Sequence, residues 1–276
     1  MLGSELTDRH QQACLWHGIL AVLALEVAWT QDGCSQQLYS VRLVFNETAK
    51  ELVPTLEEAG KLSILACLVA FEAITSAFHA WQAVVQGHGV DPASGSLLRW
   101  AEYAVTASIM WLIVAVSAGW WVVEVLVPQT AIIFSLQGTG YAISARMYED
   151  GPFAWKPGRK FVETPHSPSL VLWGWAFASF AAVVAPTVLL FWGWALDGDA
   201  AGGGPPWFVY ALVLAELVLF TSFGVVQLWD LTCGGDYESS ERVYIAASLL
   251  AKSALSLLLI SQTTAFCAFA EQSGRS

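Results

Sequence analysis

Apolar residues in this chain are gathered into long runs, which short polar, glycine-rich or proline-rich segments separate. A helix of about 20 apolar residues, rising 1.5 Å at each one, crosses a bilayer core of about 30 Å. Windows of that length with few charges occur at residues 12–30, 61–85, 97–119, 122–146, 168–195, 206–229 and 243–269. The pattern therefore predicts an all-α integral membrane protein in which residues 1–276 form one domain of seven transmembrane helices.

Composition supports lipid as the main solvent of this chain. Hydrophobic residues make up 56% and charged residues 13%, against about 25% charged in a soluble domain. The net charge of −11 provides no basic surface for a phosphate backbone. These values argue against a water-soluble enzyme and against a nucleic-acid-binding protein, and no catalytic motif is expected.

The first apolar run lacks the charged leader and small-residue cleavage site of a signal peptide, so we expect it to remain in the protein. The five cysteines show no metal-ligand spacing, and we predict no metal site. They are interpreted as small core residues: Cys14, Cys34, Cys67, Cys233 and Cys267.

Lysine and arginine positions predict the orientation, because cationic loops resist translocation. One side would carry seven such residues, namely Arg9, Arg99, Arg146, Lys156, Arg159, Lys160 and Arg242, and the other would carry Arg42, Lys50, Lys61 and Arg275. We therefore expect a cytoplasmic N-terminus, an extracellular C-terminus and a multi-pass protein of the plasma membrane.

The first outer segment, residues 31–60, has a strand-like pattern. The side chains of Val41, Leu43 and Phe45 alternate with those of Arg42 and Val44. This pattern predicts a small β-hairpin over the extracellular face. Asn46 begins an Asn-Glu-Thr triplet that is either a glycosylation site or a chance match.

Ionisable side chains inside apolar windows are candidates for function, because each costs a few kcal/mol at the bilayer centre unless it is paired. Lys252 lies deep in the last window, so we expect it to pair with a carboxylate or to form an imine. Depth along the helices makes Glu102 its best-matched partner, while Ser248 lies one turn before the lysine and would donate a hydrogen bond to that carboxylate. The other such residues are His17, Glu26, Glu72, His79, Glu124 and Glu216.

The predicted third and seventh helices carry specific strings. The third contains Arg99-Trp100-Ala101-Glu102-Tyr103, followed by Ser108-Ile109-Met110. The seventh contains Glu241-Arg242-Val243-Tyr244-Ile245, leading into Ser248-Leu249-Leu250-Ala251-Lys252-Ser253. These strings resemble the third-helix and seventh-helix patterns of the heliorhodopsin family of retinal proteins. Other matches to that family are Phe208-Val209-Tyr210, Ser222-Phe223 with Gln227, and the helical histidines.

The resemblance implies a rhodopsin-like bundle with an inverted orientation and all-trans retinal bound to Lys252 as a Schiff base. Glu102 would be the counterion, with Ser248, Thr75, Arg99 and Tyr103 nearby, and His17 and His79 would line a polar cavity. The pocket candidates are Met110, Trp173, Tyr210, Phe220 and Phe223, although aromatic stripes are more often ordinary helix packing. The resemblance also implies light sensing by a slow photocycle without ion pumping, a homodimer and a downstream protein partner.

Two alternatives remain open at this point. Outward proton pumps carry carboxylates at two positions that are Ile113 and Ser248 here, which disfavours a pump. A light-gated proton channel is still possible, because Glu26, Glu72 and Glu216 lie at successive depths and form a candidate proton relay. A non-photoactive transporter or scaffold is the other alternative.

Overall fold

The computed structural model describes residues 2–30, 35–48, 50–88, 92–148, 168–201, 205–233, 237–265 and 267. Within these residues the chain forms seven long helices and one β-hairpin. The helices are α1 (Leu2–Thr30), α2 (Ile64–Gly87), α3 (Pro92–Ser117), α4 (Val123–Tyr148), α5 (Pro168–Ala201), α6 (Trp207–Cys233) and α7 (Tyr237–Ser261). The strands are β1 (Ser35–Asn46) and β2 (Glu51–Ser63).

The predicted membrane class is confirmed. Within the described ranges six helices are long and apolar enough to cross a membrane, and α4 is the one that does not reach the same hydropathy. Polar residues such as Gln129 and Gln137 lower it, but α4 is 26 residues long and packs between α3 and α5. Helix α1 packs mainly against α2 and also against α7, which closes the bundle.

Several helices extend beyond their predicted apolar windows, and the largest difference is the nearly three turns that precede the first window. Helix α1 begins at Leu2 and α7 begins at Tyr237, whereas the windows began at residues 12 and 243. Helix α7 ends at Ser261, and residue 269, where the window ended, lies outside the described residues. The apolar windows mark only the part of a helix that needs lipid, and intrahelical hydrogen bonds continue through polar residues beyond it.

The hairpin is confirmed and is longer than expected. Strand β2 extends through Lys61 to Ser63, and the Ser63 side chain accepts a hydrogen bond from the Ala66 backbone N–H as the N-cap of α2. The hairpin therefore continues into α2 without a linker. It also contacts the start of α4, because the Tyr39 backbone N–H donates to the carbonyl of Trp121 at 2.8 Å and Ser40 donates to Glu124.

One face of the hairpin is apolar and exposed. The register pairs Val41 with Leu56, Leu43 with Pro54 and Phe45 with Leu52, and residues directly opposite each other share a face of an antiparallel pair. The neighbouring pair of Arg42 and Thr55 belongs to the other face. The period-2 pattern read from the sequence therefore corresponds to a two-sided ribbon.

Cys267, just beyond α7, forms a disulfide bond, so its interpretation as a plain core cysteine was wrong. Cys14, Cys67 and Cys233 are free thiols, and Cys233 is exposed instead of lying in the core. Cys34 lies outside the described residues.

Candidate functional site

Lys252 and Glu102 form a buried ion pair between α7 and α3. The Lys252 Nζ donates to Glu102 Oε1, and the two side chains are only 3% and 1% exposed. The same Nζ donates to Thr75 Oγ1 at 3.1 Å from α2. A charge removed from water at this depth is tolerated because its counter-charge is in contact, so three helices hold one cationic nitrogen at the centre of the bundle.

Helix α2 presents a single polar stripe to this region. Glu72, Thr75 and His79 are spaced at i, i+3 and i+7, which places them on one helix face, and all three are buried. Glu72 accepts a hydrogen bond from Ser256, one turn after Lys252 on α7. The stripe therefore joins α2 to α7 at two levels.

The candidate histidines form a cluster beside the ion pair. His17 Nδ1 lies 2.6 Å from Glu72 Oε2, and the His17 ring stacks on the His79 ring with 5.7 Å between centroids. His79 Nδ1 in turn lies 3.0 Å from Nδ1 of His10. The hydrogen-bond partners of both predicted histidines are therefore side chains of α1 and α2.

Arg99 lies one turn before Glu102 on α3 and forms a second buried ion pair, with Glu241 of α7. Its guanidinium also lies 4.2 Å from the centroid of the Tyr244 ring, a cation–π contact. Tyr103 donates to the carbonyl of Tyr244 at 3.2 Å. Arg99 therefore has its own carboxylate, and Glu102 is left to Lys252.

A cavity lies between α3, α4, α5, α6 and α7. It contains about 870 Å³ of empty space, its open side included. Lys252 is part of its wall, and most of the remaining wall is aromatic or aliphatic. The lining residues proposed from the sequence that are present in it are Met110, Trp173, Phe220, Phe223, Tyr103 and Ser248.

Two glycines allow the cavity wall to close. A Cβ on Gly140 of α4 would overlap the Trp100 ring, and a Cβ on Gly224 of α6 would come within 3.3 Å of the Phe177 ring. Trp173 donates from its indole nitrogen to the Gly224 carbonyl at 2.9 Å. Because glycine has no side chain, the Trp100 and Phe177 rings can pack directly against the helix backbone at these two positions and form part of the cavity wall.

Two expectations about this region were wrong. Tyr210 does not line the cavity but packs edge-on against Phe191, 5.1 Å between centroids. It lies ten residues before Phe220 on α6, about 15 Å along the axis. The Ser248 hydroxyl makes no hydrogen bond to Glu102, because the lysine occupies that carboxylate and Ser248 faces the cavity.

The three relay candidates are not brought together. Glu26 is exposed on α1, and Glu72 is held by His17 and Ser256. Glu216 is buried and lines a second, smaller cavity, and within the described part of the chain neither of its oxygens has a hydrogen-bond partner. Residues Phe180 and Phe220 separate it from the main cavity, since they line both spaces.

Two buried residues of this site were missed by the sequence reasoning. His10 and Glu241 are 0% and 1% exposed, but both fall just outside the apolar windows. Helical spacing could have found them, because His10 precedes His17 by two turns and Glu241 lies on the same α7 face as Tyr244, Ser248 and Lys252.

Comparisons with known proteins agree with this geometry. The viral rhodopsin OLPVRII has a similar crystal structure, with a TM-score of 0.61 and 12% sequence identity over 94% of this chain and 98% of that chain. That likeness shows the rhodopsin fold. No curated protein matches the sequence, but the heliorhodopsin family profile matches residues 11–263. The chain therefore belongs to the heliorhodopsin family, a membership that implies a retinal chromophore.

Proposed function

We propose that this protein senses light through all-trans retinal joined to Lys252, and that it responds by a slow conformational change without net ion transport. The observation that carries the proposal is a largely apolar cavity that Lys252 lines, with Glu102 in contact with the Lys252 amine. An apolar cavity with one polar anchoring point suits a long apolar ligand that carries a single reactive group.

The residues present fit the chromophore. Aromatic rings of α5 and α6 line the cavity, among them Phe177, Phe180 and Phe220, and would hold a flat polyene by contact with its faces. When bound, retinal would supply visible absorption and a light-driven change of shape. The protein supplies an apolar enclosure and, in its wall, a nitrogen that Thr75 and Glu102 hold by hydrogen bonds.

Glu102 balances positive charge at Lys252 Nζ, and Thr75 fixes the direction of that nitrogen by accepting its second hydrogen bond. Because the pair is buried, its interaction is weakly screened and depends strongly on geometry. A small displacement of Nζ relative to Glu102 therefore changes the energy of α3 against α7. This is how a local event at the lysine would bias the arrangement of the helices.

The position of Ile113 supports a sensor instead of an outward pump. It lies eleven residues after Glu102, is fully buried and belongs to the apolar core. An aliphatic side chain cannot carry a proton, so no second α3 carboxylate is available at that depth.

We further propose that the N-terminus is cytoplasmic, that residues 1–276 act as a single domain, and that the protein works as a homodimer in the plasma membrane with a downstream partner. The lysine and arginine distribution supports the orientation. The disulfide at Cys267 supports it as well, because disulfides persist on the oxidising, extracellular side of a membrane.

Expression with retinal tests the central claim. Wild-type protein should be coloured, and borohydride under illumination should fix retinal to the peptide that contains Lys252. Lys252→Ala should be colourless, whereas Lys61→Ala, which removes an exposed lysine of the hairpin, should keep the colour. Colourless wild-type protein that is folded by circular dichroism would refute the proposal.

A light-gated proton conductance is the second candidate, and Glu216 favours it, because a buried carboxyl without a partner is costly to retain without use. Voltage-clamped cells that express the protein would show a light-dependent current in this case. Loss of such a current in Glu216→Gln, with colour retained, would establish conduction and overturn the sensor-only proposal.

A further inference from the structure

His10 and His79 meet through the same ring nitrogen. Their Nδ1 atoms lie 3.0 Å apart, and both rings are buried. Two neutral imidazole nitrogens approach this closely only when one carries a proton and the other accepts it. The pair therefore holds one proton between its rings, and each ring keeps a second nitrogen, Nε2, that is buried without a hydrogen-bond partner in the described residues.

Charged groups surround this pair on two sides. On the His79 side, the charge of Lys252 acts on the ring, and Glu102 is paired with that lysine. On the His10 side, the charge of Arg99 acts on the ring, and Glu241 is paired with the arginine. The pair therefore bridges the two buried ion pairs of the bundle.

The flank of the pair is occupied by a third histidine. His17 stacks on His79 but is hydrogen-bonded to Glu72, so its Nδ1 is engaged elsewhere. Ser76 and Cys14 lie on the same α1–α2 interface and bond to each other. In the described residues, His10 is thus the group that hydrogen-bonds to the His79 ring.

We propose that His79 Nδ1 donates to His10 Nδ1, and that His10 holds any proton that enters the pair from the side of Lys252. The inference rests on the proposed function, because that function is what makes proton movement near Lys252 useful. A proton would bind to His79 Nε2, and the proton on His79 Nδ1 would then pass to His10 Nδ1. His79 ends neutral with its hydrogen on Nε2, His10 ends as an imidazolium with both nitrogens protonated, and the reverse sequence restores the start.

Electrostatics favour His10 over His79 as the holder. A proton on His79 would stand next to the Lys252 cation, whereas on His10 it is one ring further away. The charge of Arg99 also acts on His10, but Glu241 is paired with that guanidinium and offsets its charge. Passing the proton from His79 to His10 therefore moves a positive charge away from Lys252 and requires no movement of a helix.

Nuclear magnetic resonance of histidine ¹⁵N in the retinal-free full chain, in lipid nanodiscs, tests the hydrogen bond directly. We expect a coupling between the two Nδ1 nitrogens with the proton on His79, and on acidification a doubly protonated ring whose signals disappear in His10→Gln. A proton on His10 Nδ1 in the neutral pair, or a doubly protonated His79, would overturn the inference.

Two variants separate proton holding from mere positioning in the retinal-loaded protein. His10→Gln can still accept a hydrogen bond from His79 Nδ1 through its amide oxygen but cannot hold a proton, and His10→Phe can do neither. We expect both to shorten the lifetime of the light-induced state by about tenfold, because without His10 the proton stays one ring closer to the Lys252 cation and leaves sooner. His88→Gln, which changes an exposed histidine, should have no effect. A normal lifetime in His10→Gln, whatever His10→Phe does, would show that His10 only positions its neighbour. Failure of wild-type protein to bind retinal would sink the proposed function instead, and the retinal-free measurement would still decide the role of His10.

Discussion

Replacing Glu102 with glutamine tests the buried ion pair most directly. Glutamine keeps the size and the acceptor oxygen of the side chain but removes its charge, so Lys252 loses its counter-charge while the contact with Thr75 remains. Both partners are at most 3% exposed, and breaking such a pair costs about 3–5 kcal/mol because a buried charge is left uncompensated.

That cost converts to a change in protonation, since 1.36 kcal/mol is a factor of ten. The neutral form of the nitrogen should gain roughly two to nearly four powers of ten over the protonated form. In the pigment, Glu102→Gln should therefore lower the pH midpoint of the colour change by about two to four units. The absorption band of the protonated form should shift to longer wavelength.

The assay is a spectrophotometric pH titration of purified pigment. Glu216→Gln is the matched control, because it makes the same chemical change in a carboxyl that is equally buried but lies beyond Phe180 and Phe220. An unchanged band and midpoint in Glu102→Gln would refute the assignment of Glu102 as the charge partner, whereas equal shifts in both variants would show a general effect of buried carboxyls.

Two further substitutions test the packing around the site. Glu241→Gln should destabilise the protein by about 3–5 kcal/mol, because Arg99 loses its buried counter-charge; thermal unfolding against wild type measures this, and a shift below one degree would contradict it. Gly140→Ala places a methyl group against the Trp100 ring and should cost about 1–3 kcal/mol through overpacking. Gly138→Ala is its control, since a Cβ there meets no atom within 4 Å, and equal unfolding temperatures in the two alanine variants would refute the overlap.

Depth along the helices was sufficient to pair Lys252 with Glu102, because a rise of 1.5 Å per residue is nearly invariant and both residues lie well inside their windows. The same arithmetic could not identify the partners of Arg99 and His79. Their partners, Glu241 and His10, lie in polar turns that continue a helix beyond its apolar run, where hydropathy gives no signal.

Rotation about the helix axis was the second quantity that the sequence did not contain. Tyr210 is aromatic and lies on α6, but the level and face of each side chain depend on neighbouring helices, and these place Tyr210 against Phe191 instead of the cavity. The hydrogen bond expected from Ser248 to Glu102 failed for the same reason. Ser248 lies one turn before the lysine as expected, but its hydroxyl faces the cavity and Glu102 is bonded to Lys252 Nζ instead.

The unbroken passage from β2 into α2 has a mechanical consequence. Ser63 ends the strand and caps the helix, so a ligand or antibody that pulls on the exposed hairpin would load α2 along its own axis. A sliding of one residue, 1.5 Å, would carry Glu72, Thr75 and His79 out of register with α7 and α1 together. Tension on the hairpin would therefore reach Thr75 and the Lys252 amine that it contacts, and in the proposed pigment the colour would report it.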